Sequence, residues 1–168
     1  SIDRVSPVGI LGAGSRDLNV KPSLSRETIL QWLHELRTYQ FNEPTYLGQK
    51  LLALNPSIGE SSLIFVLSDL HDPSAIPALK LLGHRHDIVV IPLRDPAEDS
   101  IPGAGIVRGR EVETGREATL SAKKQFTSLE ALTTALKKAS LDHFPVLTDQ
   151  PFLASLRLFL QSRNLLSR

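Results

Sequence analysis

Three stretches of the chain are apolar without strict alternation. Leu63 to Leu67 (LIFVL) resumes at Leu70 after Ser68 and Asp69. Asp87 to Leu93 (DIVVIPL) and Asp142 to Leu147 (DHFPVL) follow. Runs of this kind suit strands buried on both faces, as in the middle of a parallel sheet. Around them, apolar residues recur at three and four positions, the period of an amphipathic helix. One such helix begins at Ser25 and ends near Tyr39, with Ile29, Trp32, Leu33 and Leu36 on its apolar face. Pro44 opens a second, with Tyr46 or Leu47, Leu51 and Leu54 inward, and Asn55-Pro56 stops it. A third runs from Pro73 to Leu82, with Ala75, Ile76, Leu79 and Leu82 on one side and Gly83 as its C-cap. A capping box from Thr127 to Glu130 starts a fourth, which carries Leu129, Leu132 and Leu136 inward and Lys137 and Lys138 at its negative end. Pro151 lies in the first turn of the last, with Phe152, Leu156 and Phe159 inward.

The beginning of the chain is patterned differently. Arg4 to Ala13 reads as a strand closed by Gly12 and Gly14, with Pro7 placing its first part at an edge or bulge. Asp17 to Lys21 alternates and can pair antiparallel with it across Gly14-Ser15-Arg16. A second small hairpin joins Ile106–Val112 to Ala118–Leu120 around Glu113-Thr114-Gly115, after a loop from Ala97 to Gly105. Strands alternate with helices through the second half, which requires parallel strands joined by right-handed crossovers. The expected fold is α/β: a single domain over residues 1–168, a three-layer αβα sandwich with a mostly parallel, Rossmann-like sheet.

Composition narrows the chemistry. The chain has 168 residues, 41% of them hydrophobic and 22% charged, enough for one well-packed core. Its 19 basic and 18 acidic residues nearly cancel, so no electrostatic case exists for nucleic acid or an anionic membrane surface. There is no cysteine, hence no disulfide, thiolate nucleophile or zinc–thiolate site. The chain opens SIDRVS, without Met and directly into strand-like sequence, which reads as a piece of a longer protein.

Several motifs invite a chemical reading. Val8 to Gly14 (VGILGAG) resembles a dinucleotide-binding turn, but Asp17 stands where the third glycine belongs, and strand-like sequence follows instead of a helix. His71, His84 and His86, with Asp69 and Asp72, suggest a metal site, yet none lies at helical ligand spacing, so solvated or capping histidines explain them better. No serine sits in a nucleophile elbow. Three expected parallel strands end in an aspartate: Asp69, Asp95 and Asp149. Ligands of open α/β sheets bind beyond the carboxyl ends of such strands. Asp69, after the most apolar run, is the first choice for a metal or phosphate contact; its alternative role is to cap the helix that starts near Pro73. Two functions follow. One is a protein-interaction module. The other is a metal-assisted phosphohydrolase using the strand-end aspartates. A scaffold with a decayed site, in which Asp69 only caps, is a third.

The segments DRVSPVGILGAGSRDLNVKPSLS, ILQWLHEL, SLIFVLSDLHDP, LLGHRHDIVVIPLRDPAE, VETGRE and DHFPVLTDQP resemble a bacterial family of uncharacterised proteins. Their C-terminal half is a von Willebrand factor A-like domain, and their genes neighbour those of MoxR-type AAA ATPases. The resemblance implies a metal-ion-dependent adhesion site in which Thr45 (EPTYLGQ) matches the threonine and Asp69 (VLSD) the later aspartate. The Asp-x-Ser-x-Ser loop of such sites is not in this chain, nor is the first strand that precedes it. Mg²⁺ prefers octahedral oxygen ligation at about 2.0–2.1 Å. One hydroxyl and one carboxylate are too few to hold it, so the expectation is no cofactor here and Mg²⁺ only in an intact domain. The resemblance further implies a non-enzymatic module that binds a MoxR-type ATPase or another von Willebrand factor A protein. It implies a cytoplasmic domain whose parent is anchored in the membrane by upstream segments. Loss of a central strand implies dimerisation or strand exchange.

Overall fold

A computed structural model describes residues 6–16, 18–39, 43–96, 107–110, 117–120, 128–163 and 165. The chain divides into two compact units: Ser1–Tyr46 with Arg108–Thr119, and Leu47–Val107 with Leu120–Arg168. Each is described by itself.

In the first unit, β1 (Val8–Leu11) and β2 (Asn19–Ser23) form the expected antiparallel hairpin. The glycine-rich turn leads into β2 and not into a helix, as its sequence suggests. Helix α1 (Arg26–Thr38) starts where Ser25 accepts a hydrogen bond from the Thr28 amide, and Glu27 favours its positive end. Trp32 is buried and Ile29 and Leu36 are half-buried, but Leu33 is 51% exposed, so the apolar face is narrower than its spacing suggests. β5 (Val107–Arg110) and β6 (Glu117–Leu120) pair as the second expected hairpin; the expected turn at 113–115 lies outside the described residues.

The second unit holds α2 (Leu47–Leu54), β3 (Leu63–Ser68), α3 (Ala75–Leu82), β4 (Asp87–Arg94), α4 (Leu129–Lys138), β7 (Asp142–His143), β8 (Val146–Leu147) and α5 (Leu153–Ser162). β3 pairs parallel with β4 from Leu63↔Asp87 to Ser68↔Pro92. β7 and β8 pair parallel with the other side of β4. The order β3-β4-β7 advances one way across the sheet, so right-handed crossovers put α3 and α4 on one face. α2 packs against α3 in that layer. On the opposite face, Leu156 and Phe159 of α5 pack with Val89, Ile91 and Val146. The result is the three-layer αβα, mostly parallel arrangement expected.

Side chains at successive strand positions point to opposite faces. Val89 and Val90 are both 0% exposed, so β4 is covered on both sides. Leu79, Leu82 and Leu136 are likewise 0% exposed on the helix layer. β3 departs from the expectation of double burial. Val66 is buried, but Leu63, Phe65 and Leu67 are 41%, 41% and 62% exposed. By register these three share the face of Val89 and Ile91. Helix α5 covers that face over β4 but leaves the β3 row open. An unalternating apolar run does not reveal which strand lies at a margin.

Smaller differences have local causes. α2 begins at Leu47, not Pro44, because Thr45 is held in a bridge with Gly14. α3 begins at Ala75, since Pro73 and Ser74 form a turn. Ser128, not Thr127, caps α4 by accepting from the Ala131 amide; Thr127 lies outside the described residues. The expected strand from Asp142 to Leu147 is interrupted at Phe144-Pro145, proline having no amide for the ladder. Phe152 precedes α5 and is 37% exposed, not inward. α4 closes with a Schellman turn: Ser140 takes φ 56°, and the Leu141 amide donates to the Leu136 carbonyl at 3.0 Å.

The burial pattern sets a testable contrast. Leu79→Ala should cost about 2–5 kcal/mol, as for fully buried leucines. Leu67→Ala, on the open β3 row, should cost less than about 1 kcal/mol. Urea denaturation monitored by circular dichroism measures both.

Candidate functional site

Parallel pairing puts the residues after β3, β4 and β8 at one end of the sheet. Asp69, Asp95 and Asp149 therefore all follow carboxyl ends, in the order β3, β4, β8. The segment after β3 has the most unusual backbone. Leu70 adopts φ 58°, a left-handed conformation that a leucine takes at a cost of about 1–2 kcal/mol. Three contacts hold it there. Leu70 itself is buried, at 8% exposure. Its amide donates to the Ser68 hydroxyl at 3.0 Å. Asp69 accepts from the His71 amide at 3.2 Å and pairs with His71 Nδ1 at 3.0 Å.

Asp69 is thus not a helix cap. The N-cap position of α3 is Ser74, whose side chain makes no capping bond. The His71 side-chain bond, joined by the His71 amide and the Ser68 hydroxyl, lowers the Asp69 pKa to about 2. The carboxylate stays ionised and 43% exposed.

Asp72 does the capping, and across elements. Its Oδ1 accepts from the Ser74 amide at 2.8 Å and hydroxyl at 2.6 Å. Its Oδ2 accepts from the Gly48 amide, in the first turn of α2, at 2.8 Å. A carboxylate there satisfies an orphan helix donor and complements the dipole. Burial alone would raise the Asp72 pKa, but the Ser74 and Gly48 bonds outweigh it and lower it. Gly48 is required by space: a Cβ would fall on the Ser74 hydroxyl and 2.8 Å from its carbonyl carbon. The loop that carries Asp69 is thereby pinned to the start of α2.

Thr45 lies in the first unit, exposed, in an isolated antiparallel bridge with Gly14. The neighbouring Glu43 fixes that bridge. Its carboxylate accepts from the Tyr39 hydroxyl, from the Ser15 hydroxyl at 2.9 Å and from the Arg16 amide at 2.6 Å. The Arg16 guanidinium lies 4.5 Å over the Tyr39 ring. The Tyr39 bond, then that of the Arg16 amide, lowers the Glu43 pKa to about 2, and the same bond raises that of Tyr39. A side chain at Gly14 would collide with this carboxylate.

The histidines divide. His84 is exposed, as a solvated histidine should be. His86 is buried at 4%, contrary to the expectation that it is solvated or caps a helix. Its Nδ1 accepts from the Ser62 amide at 3.3 Å, and burial, then the neighbouring Arg85, lowers its pKa. Among the described residues, no three or more His, Cys, Asp or Glu side chains gather as metal ligands. Asp69 is moreover already engaged by His71 and Ser68, so the residues present do not fit a firmly held Mg²⁺. Leu70, Asp72 and Glu43 organise these segments, and sequence reasoning gave none of them that role. Only Asp72 carried a signal, as the acidic residue two before Ser74, the spacing of an Asx turn.

An open αβα sheet with an acidic carboxyl rim defines the general class. Residues 3–139 match the family described as "Protein of unknown function DUF58", and the chain belongs to that family. Neither a curated protein nor a solved structure matches the chain. No helix among the described residues is long and apolar enough to cross a membrane.

Two outcomes test this arrangement. Asp72→Ala should cost about 1 kcal/mol and speed hydrogen exchange at the Gly48 amide, whereas Asp72→Asn, which keeps an acceptor, should restore most of the protection. Asp69 has a folded pKa of about 2 against an ordinary 3.8. A depressed pKa stabilises the fold above the unfolded value and ceases to do so as pH falls through the folded one. The stability gap between the native chain and Asp69→Asn should therefore shrink from pH 3.8 to about 2. Solvent screening at a 43% exposed side chain keeps that gap below about 1 kcal/mol. Urea midpoints across that range measure it.

Proposed function

We propose that this chain is a non-enzymatic protein-interaction module that offers the carboxyl rim of its sheet to a partner protein, with Asp69 as the charged contact. The observation behind this reading is the Ser68–Asp72 loop. It accepts a strained leucine, and it holds a carboxylate ionised within reach of solvent. Strain of this kind persists where the surrounding structure fixes it, and it concentrates at functional sites. A fixed carboxylate gives charge complementarity, and the loops around it supply selection. The resemblance to von Willebrand factor A-like domains adds Thr45 as the expected second donor of an incomplete adhesion-type site. It also adds a MoxR-type AAA ATPase, or another von Willebrand factor A protein, as the partner, and a cytoplasmic setting beneath a membrane anchor.

The test pairs binding with turnover. A purified MoxR-type ATPase is titrated with the native chain, Asp69→Ala and Thr45→Ala by calorimetry, with and without Mg²⁺. Asp69→Ala should weaken binding about ten-fold or more, and Mg²⁺ titrated alone should give no tight, stoichiometric site. Phosphatase turnover that requires Mg²⁺ and disappears in Asp69→Ala would replace this reading with a hydrolase.

A further inference from the structure

We propose that His86 is an acid-sensitive latch: its neutral ring holds the connection between α2 and β3 against the start of β4, and protonation releases that connection while the sheet stays paired. This rests on the amino end of the sheet and not on the rim contact above.

Three consecutive residues grip the connection, residues 55–62. The Arg85 guanidinium donates to the Gly59 carbonyl at 2.6 Å and to the Asn55 carbonyl at 3.5 Å. The Asp87 amide donates to the Ser62 carbonyl at 2.9 Å. Between them, His86 Nδ1 accepts from the Ser62 amide at 3.3 Å. Ser62 is thus bound through both backbone groups, and one of those bonds depends on a ring that titrates. An Nδ1 that accepts has no proton of its own, so the neutral ring carries its proton on Nε2. Nε2 is buried and has no hydrogen-bond partner among the described residues. His86 as a whole is 4% exposed.

A second proton reverses this arrangement. Nδ1 becomes a donor pointed at the Ser62 donor, the Nε2 proton still lacks an acceptor, and a full charge stands almost out of reach of water. Nearby charges do not relieve it. Arg85 is itself cationic; burial, then Arg85, lowers the His86 pKa. Asp87, on the other side, is engaged by Arg163 at 2.7 Å. Glu60 on the connection and Lys80 in the last turn of α3 are exposed. The imidazolium is therefore favoured outside its site, in water. A histidine held below its ordinary 6.5 favours the closed form fully above 6.5, and the preference fades as pH falls below it. Release is local, because the Asp87–Ser62 bond and the β3–β4 ladder are backbone bonds with no titrating partner.

The test follows the histidine rings and amides of the full chain by NMR from about pH 7.5 to about 4.5. The His86 ring should titrate below 6.5. Hydrogen-exchange protection of the Ser62 amide should fall with it, by up to about ten-fold per pH unit. The Phe144 amide, bound to the Val90 carbonyl on the other side of β4, should keep its protection. His86→Gln can accept from Ser62 but does not titrate, so it should hold Ser62 protection constant within about two-fold. His84→Gln, at an exposed neighbouring histidine, should leave the native response unchanged. A His86 ring that titrates at 6.5 or above, or Ser62 protection that does not follow it, would overturn the proposal. So would equal losses at Ser62 and Phe144, a response that survives in His86→Gln, or one that disappears in His84→Gln. If His86→Gln does not fold, the native and His84→Gln titrations decide by the same outcomes.

Discussion

Val89 and Val90 are neighbours on one strand and face opposite ways, yet neither touches solvent. That single fact requires a layer on each side of β4. The α2, α3 and α4 layer must cover one face, and α5 must cover the other. Parallel pairing has the same requirement, since crossover connections place helices over the sheet. The rest follows from β4 being central. Its neighbours are held by backbone bonds in one direction, and the connections leaving their carboxyl ends meet at one rim.

At that rim the structure departs from ideal geometry. The chain leaves β3 through a left-handed leucine, and polar side chains keep it there. Asp72 adds rigidity, because one carboxylate serves the turn before α3 and the first turn of α2 together. Two segments distant in sequence acquire a fixed register through one half-buried carboxylate. Glu43 performs a similar task in the first unit, tying the turn after β1 to the segment that carries Thr45.

Much of the architecture was legible because it depends on period and punctuation. Helices with apolar residues at three and four, Ser25 as a cap and the order of strands and helices all have local signals. The misread parts depend on what lies beside an element. Nothing in LIFVL distinguishes a strand buried on both faces from one at a margin. Nothing in SDLHD identifies Leu70 as the residue with positive φ, where glycine or asparagine would have been expected. The role of Asp72 spans Gly48 to Ser74, a separation no local pattern reports. His86 reads like an exposed partner of His84 until β3 and β4 are brought together over it. The sequence placed Asp69 just past the carboxyl end of β3, where the structure has it, but not the contacts that hold it there.

The two ends of the sheet treat charge differently. At the amino end, Asp87 and Asp142 open neighbouring strands, and Arg163 lies 2.7 Å from each. Those bonds, that to Asp87 foremost, raise the Arg163 pKa, and one guanidinium bridges both carboxylates. At the carboxyl end Asp69 pairs with His71 of its own loop, and Asp149 is exposed. Arg163 thus ties two strands together at one end, whereas Asp69 at the other is held by contacts within its own loop.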